Sequence, residues 1–155
     1  MVESIPEQLK DAALRLSEEC NGEISRILKH KSVAHVTNPL DYAWEYHEQF
    51  IDQWSHYGAK TLLLGMNPGP YGMAQTGVPF GATVMAREVL QIQERQVTTP
   101  PGAHPKRPIQ GLSMERQEVS GTRFWTMLSE HYGSTETIFS NIFVVNHCPL
   151  LILGE

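Results

Sequence analysis

Five glycines and three prolines fall within the seventeen uncharged residues from Gly65 to Gly81, "GMNPGPYGMAQTGVPFG", which follow the apolar run "KTLLL". Glycine admits backbone angles and close approaches that a Cβ blocks. Proline fixes φ and removes a hydrogen-bond donor. A segment built from both is held in one shape, with its backbone open to a visitor. Placed after a strand, it reads as the wall of a pocket for a neutral, flat ligand.

The flanking segments give that loop a frame. Leu9, Ala13, Leu16, Cys20, Ile24 and Ile27 recur at helical spacing, which predicts a helix from about Pro6 to Leu28, with a candidate interruption at Asn21-Gly22. Asn38 and Pro39 form a cap and first-turn pair for a second helix, whose face carries Ala43, Trp44, His47, Phe50, Ile51 and Trp54. Lys60 to Met66 reads as a fully buried strand. A helix is expected near Ala82 to Leu90, no clear period over Gln91 to Glu118, and a further helix, "SGTRFWTMLSEHYG", ending at Gly133. "IFSNIFVVN" reads as a second buried strand running into "HCPLL". Strand, loop, helix, long excursion, helix and strand is an α/β layout with parallel pairing. In such sheets, ligands sit beyond the carboxyl ends of the strands. Both strands end near an asparagine, Asn67 and Asn146, so the two ends are expected to face one pocket. Two strands make a poor sheet, and the closing "LLILGE" is apolar, so the chain reads as part of a longer domain.

Composition narrows the function classes. With 41% hydrophobic and 19% charged residues, the chain is globular rather than disordered. A formal charge of -5 gives no general reason to expect nucleic acid, although a local patch can bind it against the net sign. Two cysteines, Cys20 and Cys148, exclude a four-cysteine iron–sulfur or zinc framework made by this chain alone and leave a disulfide open. The acidic N-terminus has no signal-peptide core, and the long uncharged stretches contain Asn, Pro and Gly, so no membrane span is expected. The expected location is cytoplasmic for a bacterial source and nuclear for a eukaryotic one.

Asn67 and Asn146 are the leading polar candidates, because an amide offers donors and acceptors to the edge of a neutral base or to a water. Their plainer role is to cap a strand end or turn. Phe80 suits stacking, or ordinary core packing. Met66 and Met73 would line the pocket, or fill gaps. The loop lacks the Gly-Lys-Ser/Thr of a phosphate cradle, and "HEQFI" lacks the second histidine of a zinc-protease helix. Asn146, His147 and Cys148 are adjacent and so point apart, which argues against a cysteine-protease triad. Asp41, Glu45 and Glu48 read as a solvated face, "HPKRP" at 104–108 as an exposed loop before a contact to a phosphate backbone, and Trp44, Trp54 and Trp125 as helix core.

"LLLGMNPGPYGMAQTGVPFG", "TPPGAHPKRPIQGL", "EVSGTRFW" and "NIFVVNHCPLL" together closely resemble the single-strand-selective monofunctional uracil-DNA glycosylases, over the chain from about Asn38 onward. The resemblance implies a three-layer uracil-DNA-glycosylase-like α/β fold with a central parallel sheet, only part of it in this chain. It implies one domain over 1–155, helical over 1–58, with the core and active-site loop over 59–155. The implied activity is hydrolysis of the N-glycosidic bond of uracil, or of an oxidised 5-substituted uracil, flipped out of single- or double-stranded DNA. By the same resemblance, Asn67 positions the attacking water, Phe80 stacks on the base and Asn146 reads its edge. The backbone at Met66, with Gly69 and Met73, shapes the space around the base and its 5-position. The resemblance implies no metal, cofactor or protein partner. A histidine motif of that family, His-Pro-Ser-Pro followed by a basic residue, is not among these residues. A non-catalytic module binding a nucleotide or nucleic acid is the alternative.

Overall fold

The computed structural model describes residues 3–155. Helix α1, Ile5–Ile27, starts from a capping box in which Ser4 Oγ accepts from Glu7 N while the Glu7 carboxylate accepts from Ser4 N. It runs unbroken through Asn21-Gly22, the candidate site of an interruption. Asn21 is occupied from outside the helix: it donates to Asp41 and accepts from Asn38, so its amide does not compete with the helix backbone.

Strand β1, His35–Thr37, leads to α2, Pro39–Tyr42, and α3, Trp44–Trp54. Asn38 caps α2 by accepting from Leu40 N at 3.1 Å. The second helix of the sequence reading is therefore two, divided at Ala43, whose φ of -113° and ψ of 27° are not helical. The α3 face buries Tyr46, His47, Phe50, Ile51 and Trp54. Trp44 stays half-exposed, against the expectation that it belongs to the core, whereas Trp54 and Trp125 are buried.

Strand β2, Thr61–Gly65, follows, then α4, Met73–Thr76, within the glycine loop, and α5, Thr83–Glu88. The excursion over 91–118 holds only a single 3₁₀ turn, Gly111–Ser113. Then come α6, Val119–Tyr132, α7, Thr135–Asn141, β3, Ile142–Asn146, and β4, Leu151–Leu153. "IFSN" closes α7 rather than opening the strand. Ser134 caps that helix by accepting from Thr137 N, and helical spacing buries Ile138 and Phe139.

The chain is a mixed α/β structure, as expected. β2 and β3 pair in parallel, from Thr61 opposite Ile142 to Gly65 opposite Asn146. β1 and β4 form a separate antiparallel pair. The β1–β4 pairing was not foreseen, and it places a strand within the expected helical region 1–58. β2 is not the fully buried strand its apolar run predicted. Leu63 packs on the core, while Leu62 and Leu64 are each 62% exposed. Phe143 and Val144, which point to opposite faces of the parallel pair, are both buried, so the described residues cover both faces at β3 and leave the Leu62 and Leu64 side chains of β2 open. The core beneath the pair is an aromatic stack, with Phe50 against Phe143 at 5.2 Å and Trp54 against Phe139 at 5.1 Å between ring centroids.

Candidate active site

The β2–β3 register decides what meets at the carboxyl ends of the strands. Gly65 stands opposite Asn146, and pairing continues beyond the strands: His147 N donates to Gly65 O at 2.8 Å and Cys148 N to Met66 O at 3.0 Å. Asn67 and Asn146 are thereby held on neighbouring strand ends. A cavity of about 190 Å³ opens there, lined by Met66, Asn67, Gly69, Met73, Phe80, Asn146, Glu118 and Ser120. Its wall contains all six residues the sequence nominates, and two it does not.

Asn146 is set by two neighbours. Its Nδ2 donates to the Met73 sulfur at 3.0 Å. Its Oδ1 lies over Gly65, so near that a Cβ on residue 65 would sit 2.2 Å from it. A thioether accepts but cannot donate. This partner therefore favours one rotation of the amide.

Phe80 occupies a left-handed backbone conformation, φ 55°, which costs a bulky residue about 1–3 kcal/mol. Surrounding bonds hold it there. Its carbonyl accepts from Trp125 Nε1 at 3.0 Å and from Ala82 N at 2.9 Å. Its ring stacks on Phe124, with centroids 4.3 Å apart and planes 15° from parallel. α6 comes this close because residue 121 is glycine; a Cβ there would meet Phe80 O at 2.4 Å.

Asn67 is exposed, and its one side-chain bond donates to Pro68 O at 3.2 Å. The amide oxygen makes no bond among the described residues. Met66 is 78% exposed and its carbonyl accepts from Cys148 N, so its side chain stands on the rim.

Glu118 is the residue the sequence reading missed. Its carboxyl lies beneath the glycine loop, where a Cβ at Gly69 would be 1.9 Å and one at Gly72 2.2 Å from its oxygens. Those glycines make room for this carboxyl as well as for a visitor, which amends the reading of the loop as backbone bared for a ligand alone. Oε2 is sealed from solvent without a hydrogen-bond partner. Burial pushes the carboxyl above the usual range, while the Gly121 backbone N–H beside it opposes the shift. No local pattern marks a single glutamate ahead of a helix as the counterpart of two distant glycines.

A second, apolar cavity of about 180 Å³ lies behind the first, between α1 and the sheet. Leu9, Leu16, His47 and Phe143 line it, and it shares Met73 and Asn146 with the candidate site. His47 is buried, with Nδ1 at 2.7 Å from Gly77 O. Desolvation lowers its pKa to about 4, against the Gly77 bond, so it is a neutral packing group rather than a reacting one. Cys20 and Cys148 are free thiols. Lys106 and Arg107 are exposed, as expected of "HPKRP".

No protein-family model matches the chain. It is 43% identical over 149 residues to the single-strand selective monofunctional uracil DNA glycosylase of Bos taurus, covering 96% of this chain and 54% of that protein. It is 43% identical over 151 residues to the Mus musculus protein of the same name, covering 97% of this chain and 52% of that protein. The Rattus norvegicus protein gives the same identity and the same coverage. The chain spans about half the length of the curated relatives it matches. An identity of 43% over 96–97% of its residues makes this chain a member of the single-strand selective monofunctional uracil-DNA glycosylase family.

Proposed function

We propose that this chain forms the base-binding and water-positioning part of a DNA glycosylase that removes uracil, or an oxidised 5-substituted uracil, from DNA. The observation that carries this reading is the register of β2 on β3, which brings two asparagine amides and the Phe80 ring to one cavity. A base inside a duplex cannot be reached, so the target is flipped out, stacked and read on its pairing edge. Phe80 supplies the stacking face. Asn146 accepts from uracil N3–H and donates to O4; cytosine reverses both groups and mismatches the same amide. Asn67 holds a water for attack on C1′ of the sugar as the C1′–N1 bond breaks; uracil departs with the electron pair and takes up the proton that the water gives up. An amide is no strong base, so the rate derives from placement and from stabilising the charge on the departing base. Single strands avoid the cost of unpairing and are the expected preferred substrate. The expected location is the compartment holding such DNA, the cytoplasm of a bacterium or the nucleus of a eukaryote.

One observation favours a second reading. Among the described residues no cation lines the cavity to stabilise a uracil anion, and the ionisable group in its wall is the Glu118 carboxyl. A module that binds the base without cleaving it would look the same. Base release from a uracil-containing single-stranded oligonucleotide, scored as alkali-labile cleavage, separates the two. Release that is lost in Asn67→Ala supports the glycosylase. Retention of uracil-dependent binding with no release selects the binding module.

A further inference from the structure

Beside the base cavity, three side chains gather in a way that base recognition leaves unexplained. Arg116 lies over the Tyr71 ring at 4.2 Å from its centroid, and its guanidinium donates to the Tyr71 hydroxyl at 3.2 Å. Arg107 lies over the same ring at 5.9 Å. Two guanidinium groups thus share one ring, within about a Debye length of each other at ordinary salt. Among the described residues neither forms an ion pair, nor does Lys106 beside them, although the chain carries net charge -5. Desolvation first, then the charges of His35, Arg107 and Lys106, hold His104 below its ordinary imidazole range, consistent with a positive local field.

The arrangement is built rather than incidental. Gln75, only 1% exposed, donates to Pro70 O at 2.8 Å and to Pro108 O at 2.9 Å, and accepts from Gln110 N at 2.8 Å. One buried amide therefore ties the glycine loop to the basic loop and keeps Arg107 beside Tyr71. The ring is two residues from Gly69 and from Met73, and Arg116 is two residues before Glu118, all of them in the cavity wall. Like charges assembled at a fixed place without a counter-charge favour an anion, and its place on the rim selects one attached to the base in the cavity.

We propose that Arg107 and Arg116, gathered on Tyr71, bind backbone phosphodiesters of single-stranded DNA flanking the base held in the cavity. The proposal rests on the DNA reading above, but its test does not require base release. The measurement is fluorescence anisotropy with a labelled single-stranded oligonucleotide, with and without uracil, across a salt series. Losing two phosphate contacts, Arg107→Gln with Arg116→Gln lowers the slope of log affinity against log salt by about 1.4, at about 0.7 per contact. With affinity at molar salt unchanged, that is about 25-fold weaker binding at tenth-molar salt. Arg107→Lys with Arg116→Lys keeps most of the slope, because lysine supplies the same charge. The control, Arg15→Gln with Arg26→Gln, removes two α1 cations that pair with Asp11 and Glu23, and leaves the slope unchanged. Equal effects of the control and the test pair overturn the proposal, as does an absence of single-strand binding. Competition by free inorganic phosphate beyond its ionic strength also overturns it, in favour of a free-anion site. An arginine-dependent slope without base release leaves this site standing and removes the glycosylase reading; base release with an unchanged slope does the reverse.

Discussion

Replacing Gly65 by alanine tests the geometry at the centre of the cavity. The added Cβ would stand 2.2 Å from Asn146 Oδ1 and 3.1 Å from Phe80 Cε2. Ordinary carbon–oxygen contact begins near 3.4 Å, so the amide must retreat by about 1.2 Å. Retreat breaks the Nδ2 bond to Met73, and the Phe80 ring, itself crowded by the new methyl, closes one direction of escape. A misplacement of about 1 Å at a reacting or recognising group costs about 10²-fold in rate, near 2.7 kcal/mol of barrier. Overpacking costs about 1–3 kcal/mol of stability. The assay pairs single-turnover uracil release with thermal melting, so that lost rate is measured on protein shown to be folded. Gly22→Ala is the control: nothing lies within 4 Å of its Cβ, it is helical, and the change should stabilise by about 0.5–1 kcal/mol. Gly65→Ala releasing uracil within about threefold of the parent rate, against the 10²-fold expected, would refute Asn146 as a group held in place by the missing Cβ.

Asn67→Ala should lower uracil release by about 10²–10³-fold with an unchanged melting temperature, because the side chain is exposed and bonds only its neighbour's carbonyl. The His47 contribution runs the other way in pH. Its folded-state pKa, about 4, lies below the ordinary 6.5, so the stability it supports is present above 6.5 and is lost as pH falls towards 4. The loss, up to about 3 kcal/mol, should disappear from urea titrations of His47→Gln. Glu118 has its folded-state pKa raised, so its penalty is absent in acid and grows as pH rises through the carboxylate range. Glu118→Gln should therefore raise the melting temperature more at neutral pH than in acid; an equal gain at both would show that burial of charge is not what the carboxyl opposes.

What the sequence made legible was periodic or terminal. α1, the α3 face and α6 follow helical spacing, and the loop after β2 announces itself by Gly and Pro. The convergence of Asn67 and Asn146 follows from parallel pairing alone, since both lie where strands end. Pairing across long separations stayed hidden. β1 meets β4 over three residues each, too few for an alternation to register. "IFSN" reads as strand by its β-branched and aromatic residues, yet the Ser134 cap draws it into α7. The Leu run of β2 reads as buried on both faces, but periodicity cannot report which face has a covering layer. Glu118 was illegible for another reason: its meaning lies in two glycines about fifty residues away whose missing side chains it fills.

Met73 sits between the two cavities, its sulfur on Asn146 and its flank on the apolar cavity under α1. Only one residue of α1, Ser17, is buried, so that space is roofed by a helix that rests lightly on the sheet. The partner that aligns the Asn146 amide is thus a flexible side chain with a cavity at its back. On the proposed role of Asn146, error in telling uracil from cytosine would depend on how often Met73 shifts towards that cavity. Fidelity would then respond to the seating of a distant helix, and a methyl group added under α1 could sharpen base choice without touching the base.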